Sequence, residues 1–343
     1  MRGGFCEGKS TISQSSKRGA ATFRPWTPSF SHVRSLFFPH SALTLVSTAS
    51  AALLVAGCAV VERAGIAVLY AKAMLPESQI RQNLAYGPEA RHRLDLFLPT
   101  GPPGWPTAIF IHGGSWTGGD KNLLVGGADV YGNIGRYLAS QGIGVAVINY
   151  RLQPQVAWKK QVADAARATA WVHQHIAAYG GQGDRLFLFG HSAGAELAAY
   201  TGLDPRPLTA AGMPRGALRG VIAVSGAGLD LMDAGTYALG HSPDYYRSVI
   251  DPAKSNEAWQ RDGSAVSYIN AASPPFLVMI GGSEEKAMKR QSSRLNEALQ
   301  AAAVPSTFLE VPGQSHGRMV LVLSRPDKLA GPATIDFIRR NSR

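Results

Sequence analysis

The sequence predicts an α/β protein with a mostly parallel, doubly wound sheet that carries helices on both faces. Short, continuous apolar runs rich in β-formers recur along the chain, as in strands buried on both faces of a parallel sheet. Longer helix-like runs separate most of them, which is the alternation of βαβ units. The length of 343 residues and the hydrophobic content of 45% suit one large domain or two small ones.

Seven strands are predicted after residue 80. The first, over residues 92–99, alternates polar and apolar side chains with a period of two, which is typical of a half-exposed antiparallel strand. The other six are continuous apolar runs and are predicted to be parallel and buried. They cover residues 107–113, 142–150, 185–190, 220–226, 276–282 and 306–313.

Helices are predicted between most of these strands, over residues 127–140, 156–179, 193–202, 285–303 and 331–341. The helix over 156–179 repeats apolar residues every three or four positions and is followed by Gly180, a suitable C-cap. Residues 227–272 break the alternation and are rich in aromatic side chains. We expect this segment to be either an inserted lid or pocket wall, or a helical crossover with ordinary packing aromatics. The folded domain is predicted to span residues 80–343.

The amino-terminal residues 1–57 are predicted to be a leader that ends in a signal peptide. A basic beginning precedes the uncharged, apolar residues 41–57, and small residues precede Cys58. The sequence VAGC at positions 55–58 resembles the bacterial lipobox. It implies lipidation of Cys58, an anchor or linker over 58–79, and a lipid-anchored location in the bacterial cell envelope. An uncleaved membrane-anchoring segment is the alternative.

Charge and cysteine content exclude two classes of function. The formal net charge is +11, but residues 1–57 hold six basic residues against one acidic residue, and the remaining charge is scattered. No dense basic run marks a nucleic-acid site, so nucleic acid is not an expected partner. Cys6 and Cys58 belong to no CxxC or Cys/His pattern, and no zinc site is expected.

The sequence GHSAG at positions 190–194 is the candidate nucleophile turn, because it joins a predicted strand directly to a predicted helix. Glycines on either side allow a tight turn that holds the Ser192 hydroxyl clear of the sheet edge. The helix that follows begins at the same place, so the Ala193 amide can face a developing oxyanion. A purely structural turn is the alternative, and the strand–turn–helix context favours catalysis.

His316 is the predicted base among the nine histidines of the chain. A nucleophilic serine needs a base within hydrogen-bonding reach. His316 follows the last predicted strand, on a loop before the final helix, where the base belongs in the chain order serine, acid, histidine. His191 adjoins Ser192 but points the other way from the turn, and we interpret it as a packing residue.

Glu284 is the predicted acid, and Glu285 is the second choice. Both follow the strand predicted over 276–282, and a carboxylate there can hold the imidazole in its working tautomer. Asp230 and Asp233, which follow the preceding predicted strand, are further candidates for the acid if neither glutamate serves. The glutamates can instead cap the next helix, where early acids stabilise the helix dipole.

The glycine-rich sequence IHGGSWTGGDK, residues 111–121, also follows a predicted strand. Its small residues allow the backbone to approach a substrate closely, so we predict that the amides of Gly113 and Gly114 join Ala193 as oxyanion donors. A phosphate-binding loop is the alternative, but the segment lacks the GK[ST] ending of such loops.

Together these motifs resemble the α/β-hydrolase superfamily and, more narrowly, its esterase/lipase group with an HGG loop. That group includes carboxylesterase, feruloyl-esterase-like and prenylcysteine-methylesterase-like members. The resemblance covers roughly residues 80–341 and rests on HGGSW at 112–116, YRL at 150–152, GHSAG and His316. It implies that Tyr150 and Arg151 are structural. Two departures stand out: Ser115 replaces a glycine found in many relatives, and Glu284 stands where most have aspartate.

The expected activity is hydrolysis of a small or medium carboxylic ester through an acyl-enzyme on Ser192. This chemistry requires no metal or organic cofactor. An amidase, arylformamidase or peptidase on the same triad is the first alternative. A non-catalytic, envelope-anchored binding protein on a hydrolase scaffold is the second.

Overall fold

The computed structural model describes residues 79–214 and 216–343. The leader, Cys58 and the predicted linker up to residue 78 lie outside this range, so lipidation and envelope location stay predictions. No helix in the described part of the chain is long and apolar enough to cross a membrane.

An eight-stranded sheet forms the centre of the domain, in the order β1-β2-β6-β3-β7-β8-β9-β10. The strands are β1 (Ile80–Ala85), β2 (Arg93–Phe97), β3 (Trp105–Ile111), β4 (Leu124–Val125), β5 (Ala128–Asp129), β6 (Gly144–Ile148), β7 (Gly181–His191), β8 (Leu218–Val224), β9 (Phe276–Gly281) and β10 (Ser306–Val311). β4 and β5 pair only with each other. β1 and β2 are antiparallel to their neighbours, and the strands from β6 to β10 run parallel. All seven predicted strands are present, and the mostly parallel sheet is confirmed. The burial predicted for β10 is wrong, because β10 is an edge strand in which only Val311 is buried.

The helices connect these strands and cover both faces of the sheet. They are α1 (Val130–Ser140), α2 (Trp158–His175), α3 (Ala193–Leu203), α4 (Pro205–Ala210), α5 (Ala234–Ala238), α6 (Pro243–Ile250), α7 (Trp259–Gly263), α8 (Lys286–Ala301), α9 (His316–Val322) and α10 (Ala330–Asn341). The chain also forms 3-10 turns over Ile176–Tyr179 and Ala265–Tyr268. Gly180 caps the first of these turns with φ 99°, as the sequence predicts.

Two apolar cores lie on opposite faces of the sheet, because side chains alternate along each strand. In β3, Ile109 and Ile111 belong to the core that includes α2, α3 and α8. Ala108 and Phe110 belong to the core that includes α1 and α10. This arrangement confirms the prediction of helices on both faces.

The prediction for β2 is wrong in one respect. The strand is antiparallel as predicted, but Asp95 at its polar position is buried and not half-exposed. The Lys121 ammonium lies 2.8 Å from the Asp95 carboxylate, and this pairing allows the charge to be buried.

Residues 227–272 form the crossover from β8 to β9. The segment holds α5, α6, α7 and the 3-10 turn over Ala265–Tyr268. It also contributes His241, Tyr245 and Tyr246 to the wall of a cavity. The segment therefore combines the two alternatives, since it is a helical crossover that also walls a pocket.

Candidate active site

The predicted site residues follow different strands but lie at one edge of the sheet. Parallel strands present their carboxyl ends together, and loops at that edge are where α/β proteins bind ligands. Gly113 follows β3, Ser192 follows β7, Glu284 follows β9, and His316 begins α9 after β10.

The Ser192 turn has the tight geometry expected of a nucleophile elbow. Ser192 has φ 58° and ψ −124°, which is strained for a residue with a side chain. A Cβ on Gly190 would lie 2.0 Å from the Gly194 carbonyl oxygen, and a Cβ on Gly194 would lie 2.1 Å from that of Ile111. Only glycine fits at these two positions, and α3 begins directly after the serine.

We expect Gly194→Ala to destabilise the domain strongly. The added methyl group would meet backbone atoms of β3 and not a movable side chain, so the cost should be on the order of 3 kcal/mol or more in unfolding free energy. The control is Gly101→Ala, since a Cβ at that exposed position meets nothing within 4 Å. Chemical denaturation of both variants measures the difference. Equal stability of the two would disprove the close packing of this turn.

A chain of hydrogen bonds links Ser192, His316 and Glu284. His316 Nε2 lies 3.0 Å from the Ser192 hydroxyl oxygen. His316 Nδ1 lies 2.9 Å from Oε2 of Glu284. The structure thus brings together the predicted nucleophile, base and acid, although Ser192 and His316 are 124 positions apart in the chain.

The Glu284 carboxylate is buried, and three donors satisfy it. Its Oε1 accepts hydrogen bonds from the Ser225 hydroxyl and, at 3.1 Å, from the Gly281 amide. Burial alone raises the pKa of Glu284, but hydrogen bonds from His316, Ser225 and Gly281 outweigh it and hold that pKa below its ordinary value. Glu284 is therefore a carboxylate at neutral pH.

The other carboxylates considered for the acid do not contact His316. The Glu285 side chain is 83% exposed and lies 3.9 Å from His241. Asp230 pairs with Arg294, and Asp233 pairs with Arg290. Glu285 is the N-cap residue of α8 but makes no side-chain capping hydrogen bond. Its place at the N-terminus of α8 agrees with the role in stabilising the helix dipole that was considered for the glutamates.

The predicted oxyanion donors differ in their positions. Ala193, at the first position of α3, lines the cavity, as does Ser115 of the glycine loop with φ 52°. Gly113 and Gly114 do not line the cavity, although a Cβ on Gly113 would lie only 3.1 Å from that of Ser192. In residues 79–214 and 216–343, no backbone carbonyl accepts a hydrogen bond from the N–H of Gly113, Gly114, Ser115 or Ala193. The amides of Gly113, Gly114 and Ala193 therefore remain the predicted oxyanion donors, and the Ser115 amide is a further candidate.

The residues around His316 hold its backbone and the glycine loop in place. His191 Nε2 lies 3.0 Å from the His316 carbonyl oxygen. Burial and the neighbouring His316 lower the pKa of His191 to about 3, so the ring is neutral and donates to that carbonyl. The Tyr150 hydroxyl donates to the His112 carbonyl oxygen at 3.1 Å. Arg151, for which the resemblance implies a structural role, forms an ion pair with Asp164 in which Nη2 lies 2.6 Å from Oδ1.

A cavity of about 600 Å³ opens beside Ser192 and His316. Trp116 forms part of its wall and donates its indole N–H to Glu196, at 3.0 Å; Trp158 donates to the same oxygen. Burial raises the pKa of Glu196 to about 8 despite these two bonds, so the carboxyl is neutral at pH 7. The neutral Glu196 fixes the Trp116 wall without placing a charge under the cavity.

Sequence reasoning missed Ser225 as a partner of the acid and Ser115 as a wall residue. Ser225 directly follows β8 at the carboxyl edge, and its φ of 51° could not be read from the sequence. Its position after an apolar strand was the available signal. Among the described residues, no group of three His, Cys, Asp or Glu side chains could hold a metal ion.

Comparisons with known proteins point to esterases. The BD-FAE family model matches residues 94–299. The isoprenylcysteine alpha-carbonyl methylesterase ICME of Arabidopsis thaliana is 29% identical, over 71% of this chain and 58% of that protein. Esterase LipC of Mycobacterium tuberculosis is 29% identical, over 69% of this chain and 59% of that protein. The chain thus spans little more than half the length of these relatives.

The fold is shared with solved esterase structures. Esterase B from Lactobacillus rhamnosis, inhibited with a tributyrin phosphonate, matches with a TM-score of 0.64 at 22% identity. The match covers 89% of this chain and 97% of that chain. A carbohydrate esterase from gut microbiota matches with a TM-score of 0.63 at 21% identity, over 77% of this chain and 96% of that chain. These matches confirm the α/β-hydrolase fold.

Proposed function

Because the chain belongs to the BD-FAE family, we propose that it is a carboxylic ester hydrolase that forms an acyl-enzyme on Ser192. The observation that carries the proposal is the hydrogen-bonded chain from the Ser192 hydroxyl through His316 to the buried Glu284 carboxylate. A serine hydroxyl is a weak nucleophile on its own, and this arrangement supplies the base that activates it. The names of the relatives, esterase and methylesterase, support the same activity.

In the first half of the reaction, His316 Nε2 accepts the Ser192 proton while the serine oxygen attacks the ester carbonyl carbon. The resulting imidazolium is stabilised by Glu284, which accepts the Nδ1 proton in a hydrogen bond and remains ionised. Collapse of the tetrahedral intermediate expels the alcohol, which takes its proton from His316 Nε2. In the second half, water attacks the acyl group through the same base, and Ser192 is released.

The negative charge on the carbonyl oxygen needs donors that are already in place. We assign the Ala193 amide to this role, together with the glycine-loop amides of Gly113, Gly114 and Ser115. The Ala193 amide also stands at the N-terminus of α3, where the helix dipole favours an anion. The side chain at position 115 does not alter this assignment, because the donor is its backbone N–H.

The cavity favours a small or medium ester. Its volume of about 600 Å³ falls in the range of ordinary ligand sites, and Trp116, Tyr245 and Tyr246 give it aromatic walls. Hydrolysis of p-nitrophenyl acetate and butyrate, compared with the matching p-nitroanilides, tests the reaction class. We expect ester cleavage to exceed anilide cleavage by several orders of magnitude in kcat/KM. Comparable rates would favour an amidase, and failure to cleave either class would favour a binding protein.

A further inference from the structure

A second polar group lines the cavity and takes no part in the reaction described above. His241 lies between α5 and α6, and its Nδ1 is 2.8 Å from the Tyr246 hydroxyl oxygen. Its other ring nitrogen, Nε2, lies 3.9 Å from Oε2 of Glu285. No hydrogen bond in the described part of the chain joins these three side chains to Ser192 or His316.

The surroundings of the Tyr246 hydroxyl fix which nitrogen of His241 carries the proton. Burial, the largest influence, raises the pKa of Tyr246, so the hydroxyl stays protonated. Tyr246 is 3% exposed, and His241 Nδ1 is the hydrogen-bond partner of its hydroxyl, so the phenolic proton is donated to Nδ1. Burial also lowers the pKa of His241 and outweighs the opposing effect of Glu285. The ring is thus neutral at neutral pH, with its proton on Nε2.

The His241 Nε2–H is a hydrogen-bond donor, and the acceptor nearest to it across the cavity wall is the Glu285 carboxylate. At 3.9 Å they are too far apart for a direct hydrogen bond. A hydroxyl oxygen between them can accept from His241 and donate to Glu285. An ether, a carbonyl or a carboxylate can satisfy only the donor. The Glu285 side chain is largely exposed and can adjust to such a group.

The charge and shape of the cavity agree with a neutral hydroxyl compound. No lysine or arginine is among the described residues that line the cavity, while Glu285 adds a negative charge. An anionic substituent would therefore be repelled. The Tyr245 ring, 45% exposed, lies 6.4 Å from Trp116 and offers apolar surface to the rest of a substrate.

We propose that His241 and Glu285 recognise a free hydroxyl group on the ester, remote from the carbonyl that reacts, and so determine substrate preference. The inference rests on the proposed esterase function of the Ser192 site. A site built to hydrogen-bond a hydroxyl discriminates against the analogue that lacks it, because a shielded polar group, here the His241 N–H with 17% side-chain exposure, then loses its partner.

Three matched pairs of esters test the inference. They are methyl 3-phenylpropanoate with methyl 3-(4-hydroxyphenyl)propanoate, 2-phenylethyl acetate with 2-(4-hydroxyphenyl)ethyl acetate, and propyl acetate with glyceryl monoacetate. We expect the native protein to favour the hydroxylated member of at least one pair by about tenfold in kcat/KM, mainly through KM. His241→Leu removes the donor and Glu285→Ala removes the acceptor, and each should reduce that preference to about twofold or less.

His175→Gln is the matched control, because His175 is an exposed histidine at the end of α2, outside the cavity. This variant should keep the native preference. Equal kcat/KM values within every pair for the native protein would overturn the inference, as would a preference that survives in either cavity variant. Both outcomes leave the esterase activity standing. Failure of the native protein to cleave any of the six esters would contradict the proposed function and, with it, this inference.

Discussion

Replacing Ser192 with alanine should lower kcat for p-nitrophenyl butyrate by at least about 10⁵-fold. The substitution removes the only atom that can form the acyl bond, and His316 and Glu284 cannot act as a nucleophile in its place. The hydroxyl oxygen contacts His316 and is not buried in a core, so its loss should leave the fold intact. End-point hydrolysis assays with long incubation at high protein concentration would measure the residual rate.

Ser140→Ala is a suitable control for this experiment. Ser140 ends α1, and its hydroxyl donates only to the Tyr137 carbonyl oxygen. The control should hydrolyse the ester at the native rate, and both variants should unfold at the native temperature. Substantial hydrolysis by a folded Ser192→Ala protein would refute the assignment of the nucleophile.

Replacing Glu284 with glutamine should lower kcat by about 10³- to 10⁴-fold. Glutamine keeps the size of the side chain and can still accept from Ser225 and Gly281 through its carbonyl oxygen. Its amide N–H₂ would then face His316 Nδ1 as a donor, which forces the imidazole proton onto Nε2. An imidazole in that tautomer cannot accept the Ser192 proton. The effect should therefore appear in kcat, with little change in KM.

Two further variants separate the acid from its neighbours. Glu285→Gln should cost less than about tenfold in kcat, because Glu285 does not contact His316. Glu310→Gln is the neutral control, since Glu310 pairs with Lys289 at the surface of the last strand. A greater loss in the Glu285 variant than in the Glu284 variant would show that the acid is assigned to the wrong residue.

Much of the fold follows from sequence because the inner parallel strands, such as β6 and β9, are apolar on both faces. β1 could not be predicted in this way, because four of its six residues are exposed and it pairs only with β2 at the edge of the sheet. The short helices α5 and α6 lack the length for a clear apolar period. In the structure, the side chains of Asp233 and Ser242 cap their N-termini, and Pro243 begins α6.

The reacting residues of the site could be predicted because each follows an apolar strand in the expected chain order. The hydrogen bonds of Ser225 and His241 could not, because they depend on the directions of side chains from separate segments. Neither residue belongs to a motif, and only the three-dimensional structure shows that Ser225 reaches Glu284 and that His241 faces Glu285.

Mass spectrometry after treatment with a fluorophosphonate is the most direct test of the proposed acyl-enzyme. Such a reagent bonds covalently to a serine that an adjacent base activates. We predict one adduct per chain, located by peptide mapping on Ser192, with loss of ester hydrolysis in proportion to labelling. An adduct on another residue, or full ester hydrolysis by protein modified at Ser192, would contradict the central claim.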